Sequence, residues 1–148
     1  MTSSPSSEPI DLGGQGPCAL GLPNGHILLT APRVNGVLRW DGKSWVKEPV
    51  DVPPRSFLTL CGDDVLLFAL LDGTGTKDAP HTRIDCFRRD KEGHWSGPRQ
   101  IIREDQPLGY GHQTPHFHVP LNSPPNFAPV IWALRGEGRI KLLRVPVE

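Results

Sequence analysis

Short apolar or alternating segments follow one another along most of the chain, separated by turns rich in Gly, Pro, Asn and Asp. Residues 26–30 and 65–71 are almost continuously apolar, which is typical of strands covered on both faces. Residues 83–88 alternate between polar and apolar, as a strand with one outward face does. Asn24-Gly25 and Gly62-Asp63 have the chemistry of tight hairpin turns. The pattern predicts an all-β fold of about eleven or twelve strands.

The sequence also contains a repeat with a longer period than that of the strands. Trp45 and Trp95 lie fifty residues apart, and each is followed within a few positions by Pro and a short branched segment. The related segments are Glu8-Pro9-Ile10-Asp11-Leu12, Glu48-Pro49-Val50-Asp51-Val52 and Gly97-Pro98-Arg99-Gln100-Ile101. A fixed period of this length in a strand-rich chain is typical of a β-propeller, in which each blade is one four-stranded sheet.

The repeat divides the chain into a disordered tail at residues 1–7 and a propeller segment at residues 8–148. The predicted blades lie at about 14–52, 55–102 and 113–147, and residues 8–12 supply the fourth strand of the last blade. Residues 65–70 then correspond to residues 129–134. Known propellers have about four to eight blades, so we expect either pairing of two copies or a missing half of the ring. A β-sandwich, which also places a strand about every ten residues, is the alternative fold.

Composition narrows the function classes. The chain has 148 residues, with 16 Lys plus Arg against 16 Asp plus Glu, so its net charge recruits neither nucleic acid nor an anionic membrane. Seventeen Pro and 16 Gly disfavour long helices. We find no apolar run long enough to span a bilayer and no secretion signal. Cys18, Cys61 and Cys86 lack C-x-x-C spacing, which predicts free thiols in a cytoplasmic protein.

Two turns resemble a known family. Trp40-Asp41-Gly42-Lys43-Ser44-Trp45 and Arg89-Asp90-Lys91-Glu92-Gly93-His94-Trp95 resemble the Asp-box turn of sialidase-like (BNR-repeat) propellers, Ser-x-Asp-x-Gly-x-Thr-Trp. The first copy is one residue short, and the second carries Gly93 one place late. The resemblance implies that Asp41 and Asp90 cap their turns, that Gly provides positive φ, and that Trp packs between blades. It also implies an exo-sialidase-like glycoside hydrolase, if the protein is an enzyme.

In propellers, the loops that join successive blades and the second and third strands of a blade meet on one face. The residues expected on that face are Arg33, Arg55, His81, Tyr110, His112 and Arg135. Guanidinium groups present paired donors that suit a carboxylate or sulfate, so the expected partner is a carbohydrate or another small anionic ligand. Arg55 and His112 each precede an innermost strand and should lie nearest the channel.

The catalytic assignment stays open at this stage. Tyr110 is the one Tyr, so the sialidase set of an arginine triad, Tyr and acid cannot be matched position by position. Asp63, Asp64 and Asp78 are the clustered carboxylates, but Asp63 and Asp64 are predicted on the opposite side of the blade. His112, His116 and His118 favour a hydrogen-bonded channel lining over a metal site, and we expect neither metal nor cofactor. The alternative function is a non-enzymatic interaction scaffold that forms a ring by homodimerisation.

Overall fold

A computed structural model of the chain describes residues 18–31, 34, 36–53, 55–76, 79–111, 114–115 and 117–148. The described residues form fourteen β-strands and no helix, which confirms the all-β prediction. No helix in these ranges is therefore long and apolar enough to cross a membrane. The predicted tail at 1–7 and the predicted strand at 8–12 lie outside the described residues.

The strands run from one hairpin to the next in chain order. They are β1 Cys18–Gly21, β2 Ile27–Thr30, β3 Leu38–Trp40, β4 Trp45–Lys47, β5 Ser56–Cys61, β6 Asp64–Asp72, β7 Thr82–Arg89, β8 Trp95–Glu104, β9 Tyr110–Gly111, β10 Thr114–Pro115, β11 Phe117–His118, β12 Asn122–Ser123, β13 Phe127–Trp132 and β14 Lys141–Pro146.

Three main sheets result. Sheet 1 contains β1 to β4 in sequential antiparallel order, and sheet 2 contains β5 to β8 in the same order with β12 added beside β5. Sheet 3 has the order β11-β13-β14, and β9 and β10 form a separate hairpin. The predicted hairpin turns are present, with φ values of 88° at Gly25 and 63° at Gly62.

The residue pairs that form β9 and β12 were not predicted as strands, because two residues are too few to show a period. The strand predicted at 114–119 corresponds to β10 and β11. β12 runs parallel to the end of β5, where the Leu60 N–H donates to the Leu121 carbonyl at 2.8 Å. The Thr59 and Ser123 hydroxyls also lie 2.6 Å apart. The first predicted blade extends to residue 52, but its last strand, β4, ends at Lys47.

Sheet 2 is the middle layer of a face-to-face stack. Successive residues of β6 enter different cores, because side chains alternate across a strand. Val65, Leu67 and Ala69 pack in the cluster shared with sheet 1, whereas Leu66, Phe68 and Leu70 pack in the cluster shared with sheet 3. All six side chains are at most 3% exposed. The continuous apolar run therefore marks a strand with two buried faces, as the sequence predicted.

Both Asp turns adopt the geometry expected from their residues. The Asp41 Oδ1 accepts the N–H groups of Lys43 and Ser44 at 2.8 and 2.9 Å. The Asp90 Oδ1 accepts the N–H groups of Glu92 and His94 at 3.0 and 2.9 Å. Gly42 and Gly93 have φ values of 98° and 89°. Each turn joins the third and fourth strands of its sheet and is closed by a carboxylate cap.

A buried carboxylate ties sheet 1 to sheet 2. Glu48, which follows β4, is only 5% exposed. Its two oxygens accept the Arg39 Nε–H at 3.2 Å and the Arg89 Nε–H at 2.6 Å. Trp95 packs against the core between these sheets, and its indole N–H donates to the same carboxylate at 3.2 Å. We call this group the Glu48 cluster.

The two ends of the stack differ from its middle. On sheet 1, Leu28 points toward sheet 2, so its neighbours Ile27 and Leu29 point the other way. On sheet 3, Val130 and Trp132 point toward sheet 2, so Ile131 points outward with its cross-strand partner Leu142. The outer face of sheet 1 comprises Ala19, Gly21, Ile27, Leu29, Leu38, Trp40, Trp45 and Lys47, and that of sheet 3 comprises His118, Phe127, Pro129, Ile131, Leu142, Arg144 and Pro146.

Candidate functional site

Several of the sequence-predicted ligand residues lie at one end of the stacked sheets. Antiparallel order brings the start of β5, the end of β6, the start of β7 and the end of β8 to one edge of sheet 2. Arg55 immediately precedes β5 and His81 immediately precedes β7. Glu104, at the end of β8, contacts side chains at the end of β13 and the start of β14. Arg135 therefore belongs to the same end, which we call the candidate edge.

Arg55 is already engaged on the candidate edge. Its Nη1 forms an ion pair with the Asp72 carboxylate, and the two side chains are 36% and 52% exposed. An anion arriving at Arg55 would therefore compete with Asp72. The positive charge of Arg55 is thus largely balanced by Asp72.

His81 is half-buried and packs against the loop that follows β6. Its imidazole fills the space beside Gly75, so a side chain at Gly75 would overlap the ring. Gly75 has a φ of 86°, and its N–H donates to the Ala79 carbonyl at 2.8 Å. His81 thus supports the loop of the candidate edge as well as lining it.

Arg135 is placed by an additional bridge between segments. Leu108 pairs with Leu134, and the Arg135 N–H donates to the Pro107 carbonyl at 2.9 Å. The loop after β8 thus runs beside the end of β13. Tyr110 begins β9, whereas Arg33 and His112 lie outside the described residues. The structure therefore places Arg55, His81 and Arg135 at the candidate edge.

Glu104 is a candidate-edge carboxylate that sequence reasoning missed. Its Oε1 accepts the Trp132 indole N–H at 3.1 Å and lies 3.0 Å from the Lys141 Nζ. The Glu104 and Lys141 side chains are 18% and 32% exposed. Trp132 itself is 8% exposed, which agrees with packing and not with a sugar-stacking platform. These contacts join sheet 2 to sheet 3, and they leave the Glu104 carboxylate already bound to two side chains.

Three carboxylates at the opposite end of the sheets have structural partners. Asp64 lies 3.4 Å from the Arg88 Nη2. The N–H groups of Ser44 and Lys43 lower the pKa of Asp41, and chiefly the N–H of His94 lowers the pKa of Asp90. Both groups therefore stay ionised and stabilise their turns. Asp78 lies outside the described residues.

The thiols are poorly suited to nucleophilic chemistry. Cys18, Cys61 and Cys86 are all free, as the sequence predicted. Burial raises the pKa of Cys86 to about 11 and also raises the pKa values of Cys18 and Cys61. Each thiol is therefore protonated near neutral pH, and the thiolate is the reactive form.

In the part of the chain that the structure describes, no three side chains of His, Cys, Asp or Glu are arranged to hold a metal ion. His118 is exposed at the end of β11, and the predicted partners His112 and His116 lie outside the described residues. No protein-family model matches the sequence, and a comparison with curated proteins finds no match either.

Proposed function

We propose that this chain is a segment of a sialidase-like, BNR-type β-propeller that acts as a non-enzymatic interaction scaffold and completes its ring with a second copy. Two features support a propeller over a sandwich. Three sheets stack face to face in chain order, with sheet 2 covered on both faces. Capped Asp turns also join the third and fourth strands of both sheet 1 and sheet 2.

The observation that carries the proposal is the apolar character of the sheet 3 end of the stack. Ile131, Ile140 and Leu142 on sheet 3 are 37%, 73% and 60% exposed. Outward positions of a sheet that faces water are normally polar, so these side chains suit a face that another sheet covers. Three sheets are also fewer than the roughly four to eight blades of known rings.

The charges of the described residues support a scaffold over an enzyme. Glycoside hydrolysis needs two carboxylates on either side of the bond that is cleaved. At the candidate edge, Asp72 is paired with Arg55 and Glu104 with Lys141. The free thiols accord with the cytoplasmic location proposed from the sequence.

The test is the mass of the full chain in solution, measured by light scattering over a range of concentrations. The scaffold predicts a particle of twice 16.3 kDa. A particle of one chain mass at every concentration would reject ring completion by a second copy.

A second candidate function is binding of a carbohydrate or another small anionic ligand at the candidate edge. It is favoured by the common placement of Arg55, His81 and Arg135 at strand ends on one side of the stack. Such binding should weaken with salt, because exposed charges are screened. This function and the scaffold are compatible unless the ligand is hydrolysed.

A glycan array and a fluorogenic glycoside assay separate binding from hydrolysis. Replacing Arg55 and His112 by Ala should abolish binding of an anionic sugar while leaving the fold intact. Lys91→Ala is the matched control, because Lys91 is an exposed cation in the turn at the opposite end. Binding that survives the double change, or that is lost in the control, would place the ligand elsewhere.

A further inference from the structure

We infer that the outer face of sheet 3 in one copy packs against the outer face of sheet 1 in a second copy, so that a closed dimer contains this contact twice. The inference rests on the proposed scaffold function and specifies its interface. It concerns which faces meet, and it can fail while dimerisation itself holds.

The outer face of sheet 1 repeats the positions that sheet 2 uses to pack on its predecessor. Trp45 leads through Trp40 to Ile27, as Trp95 leads through Arg89 to Val65. By this register of the last three strands of each sheet, Ile27 and Leu29 correspond to Val65 and Leu67. Val65 and Leu67 lie in the core between sheets 1 and 2. The outer face of sheet 1 therefore has the apolar pattern of a surface that receives another sheet.

The fourth strand continues this correspondence. Trp45 pairs with Trp40 at the start of β4, as Trp95 pairs with Arg89 at the start of β8. Trp95 packs into the core between sheets 1 and 2. Trp45 instead lies on the outer face, 5.5 Å from Trp40 between ring centroids. An aromatic position that packs between sheets in one repeat is thus at the end of the stack in the other.

The outer face of sheet 3 supplies the complementary end. His118, Ile131 and Leu142 form a row across its three strands. Ile140 lies beside this row and helps to line a depression of about 220 Å³ with His118, Ile131, Trp132 and Ala133. Each sheet inside the chain packs with its successor, so the successor of sheet 3 in a ring is sheet 1 of the second copy.

The available area is sufficient for a weak but specific dimer. Strands about 4.8 Å apart with a rise of about 3.3 Å per residue give each outer face roughly 300 Å² of projected area. A closed dimer covers four such faces, or roughly 1,200 Å², which lies at the lower end of stable interfaces. A head-to-tail contact that closes after two copies forms a ring and not a filament.

Two single changes test the two faces. Leu142→Asp places a charge on the outer face of sheet 3, and Ala19→Glu places one on the outer face of sheet 1. Both side chains are exposed, so neither change should prevent the chain from folding. Leu121→Asp is the matched control, because Leu121 is 50% exposed but lies on neither outer face. Circular dichroism and thermal unfolding check the fold of every variant.

Light scattering should give the mass of one chain for Leu142→Asp and for Ala19→Glu. It should give the mass of two chains for the wild type and for the control. A mixture of the two interface variants should form heterodimers, because one sheet 3–sheet 1 contact then joins two unaltered faces. A wild-type monomer would reject the scaffold function itself. A wild-type dimer that survives both changes, or variants that do not associate on mixing, would overturn the head-to-tail interface alone.

Discussion

Glu48→Gln is expected to destabilise the protein more than any comparable change of an exposed carboxylate. The Glu48 carboxylate is 5% exposed, and the Arg39 and Arg89 side chains that it binds are 21% and 11% exposed. Gln keeps the size of the side chain and one acceptor oxygen, but it removes the negative charge. Two largely buried guanidinium groups would then lack their counter-ion.

Breaking a buried ion pair by removing one partner costs about 3–5 kcal/mol. For a domain of this size, each kcal/mol lowers Tm by about 2–4 °C, so we expect a fall of roughly 6–20 °C. Asp72→Asn removes the exposed Arg55–Asp72 pair and should cost about 0–1 kcal/mol.

Urea unfolding followed by Trp fluorescence measures both variants. Adding Arg89→Met to each background gives the coupling energy between Glu48 and Arg89. A loss below about 1 kcal/mol for Glu48→Gln, equal to that of Asp72→Asn, would refute the idea that this carboxylate ties sheet 1 to sheet 2.

Three further predictions concern turns and termini. Asp41 and Asp90 have pKa values below their ordinary value of 3.8, so the stability they add is present above that pH and is lost as the pH falls through the lowered values. The wild type should therefore lose Tm more steeply below about pH 4 than a variant with Asn at both positions, and equal slopes would contradict the caps. Gly97→Ala should cost about 1–3 kcal/mol in urea unfolding, because Gly97 has a φ of 109° and an added Cβ would lie 2.9 Å from the Cys86 carbonyl oxygen. Deleting residues 1–13 should lower Tm if residues 8–12 pair with the strand at 139–145, and an unchanged Tm would reject that pairing.

The sequence predicted the strands and turns best where local chemistry decides them. The turns at Gly62 and Asp90 follow from positive φ and side-chain caps. The buried strand at 65–70 follows from its continuous apolar run, because each successive residue enters a different core. These features need only neighbouring residues.

The relation between repeats was harder to predict. The sequence aligned residues 65–70 with 129–134, which equates Leu66 with Val130. In the structure both residues lie in the core between sheets 2 and 3, so they face each other. If the repeats stack in one direction, equivalent residues should all point toward the preceding sheet. Val130 points toward sheet 2 and Leu67 toward sheet 1, so Leu67 is the equivalent of Val130. An error of one residue in the alignment assigns every side chain to the opposite face of the strand. Because this strand is apolar on both faces, its sequence does not reveal such an error.

The partners of the charged residues depend on packing between sheets. Glu48 and Arg89 are 41 residues apart, and Glu104 and Lys141 are 37 apart. Neither pair has a local sequence signal, because each forms only when two sheets stack in a particular register. For the same reason, the sequence did not predict that Asp72 would balance the charge of Arg55.

The most direct test of the account is the mass of the full chain in solution at neutral pH, measured by light scattering up to tens of micromolar. A ring formed by two copies predicts a particle of twice 16.3 kDa that dissociates on dilution. A particle of one chain mass across the whole range would contradict it.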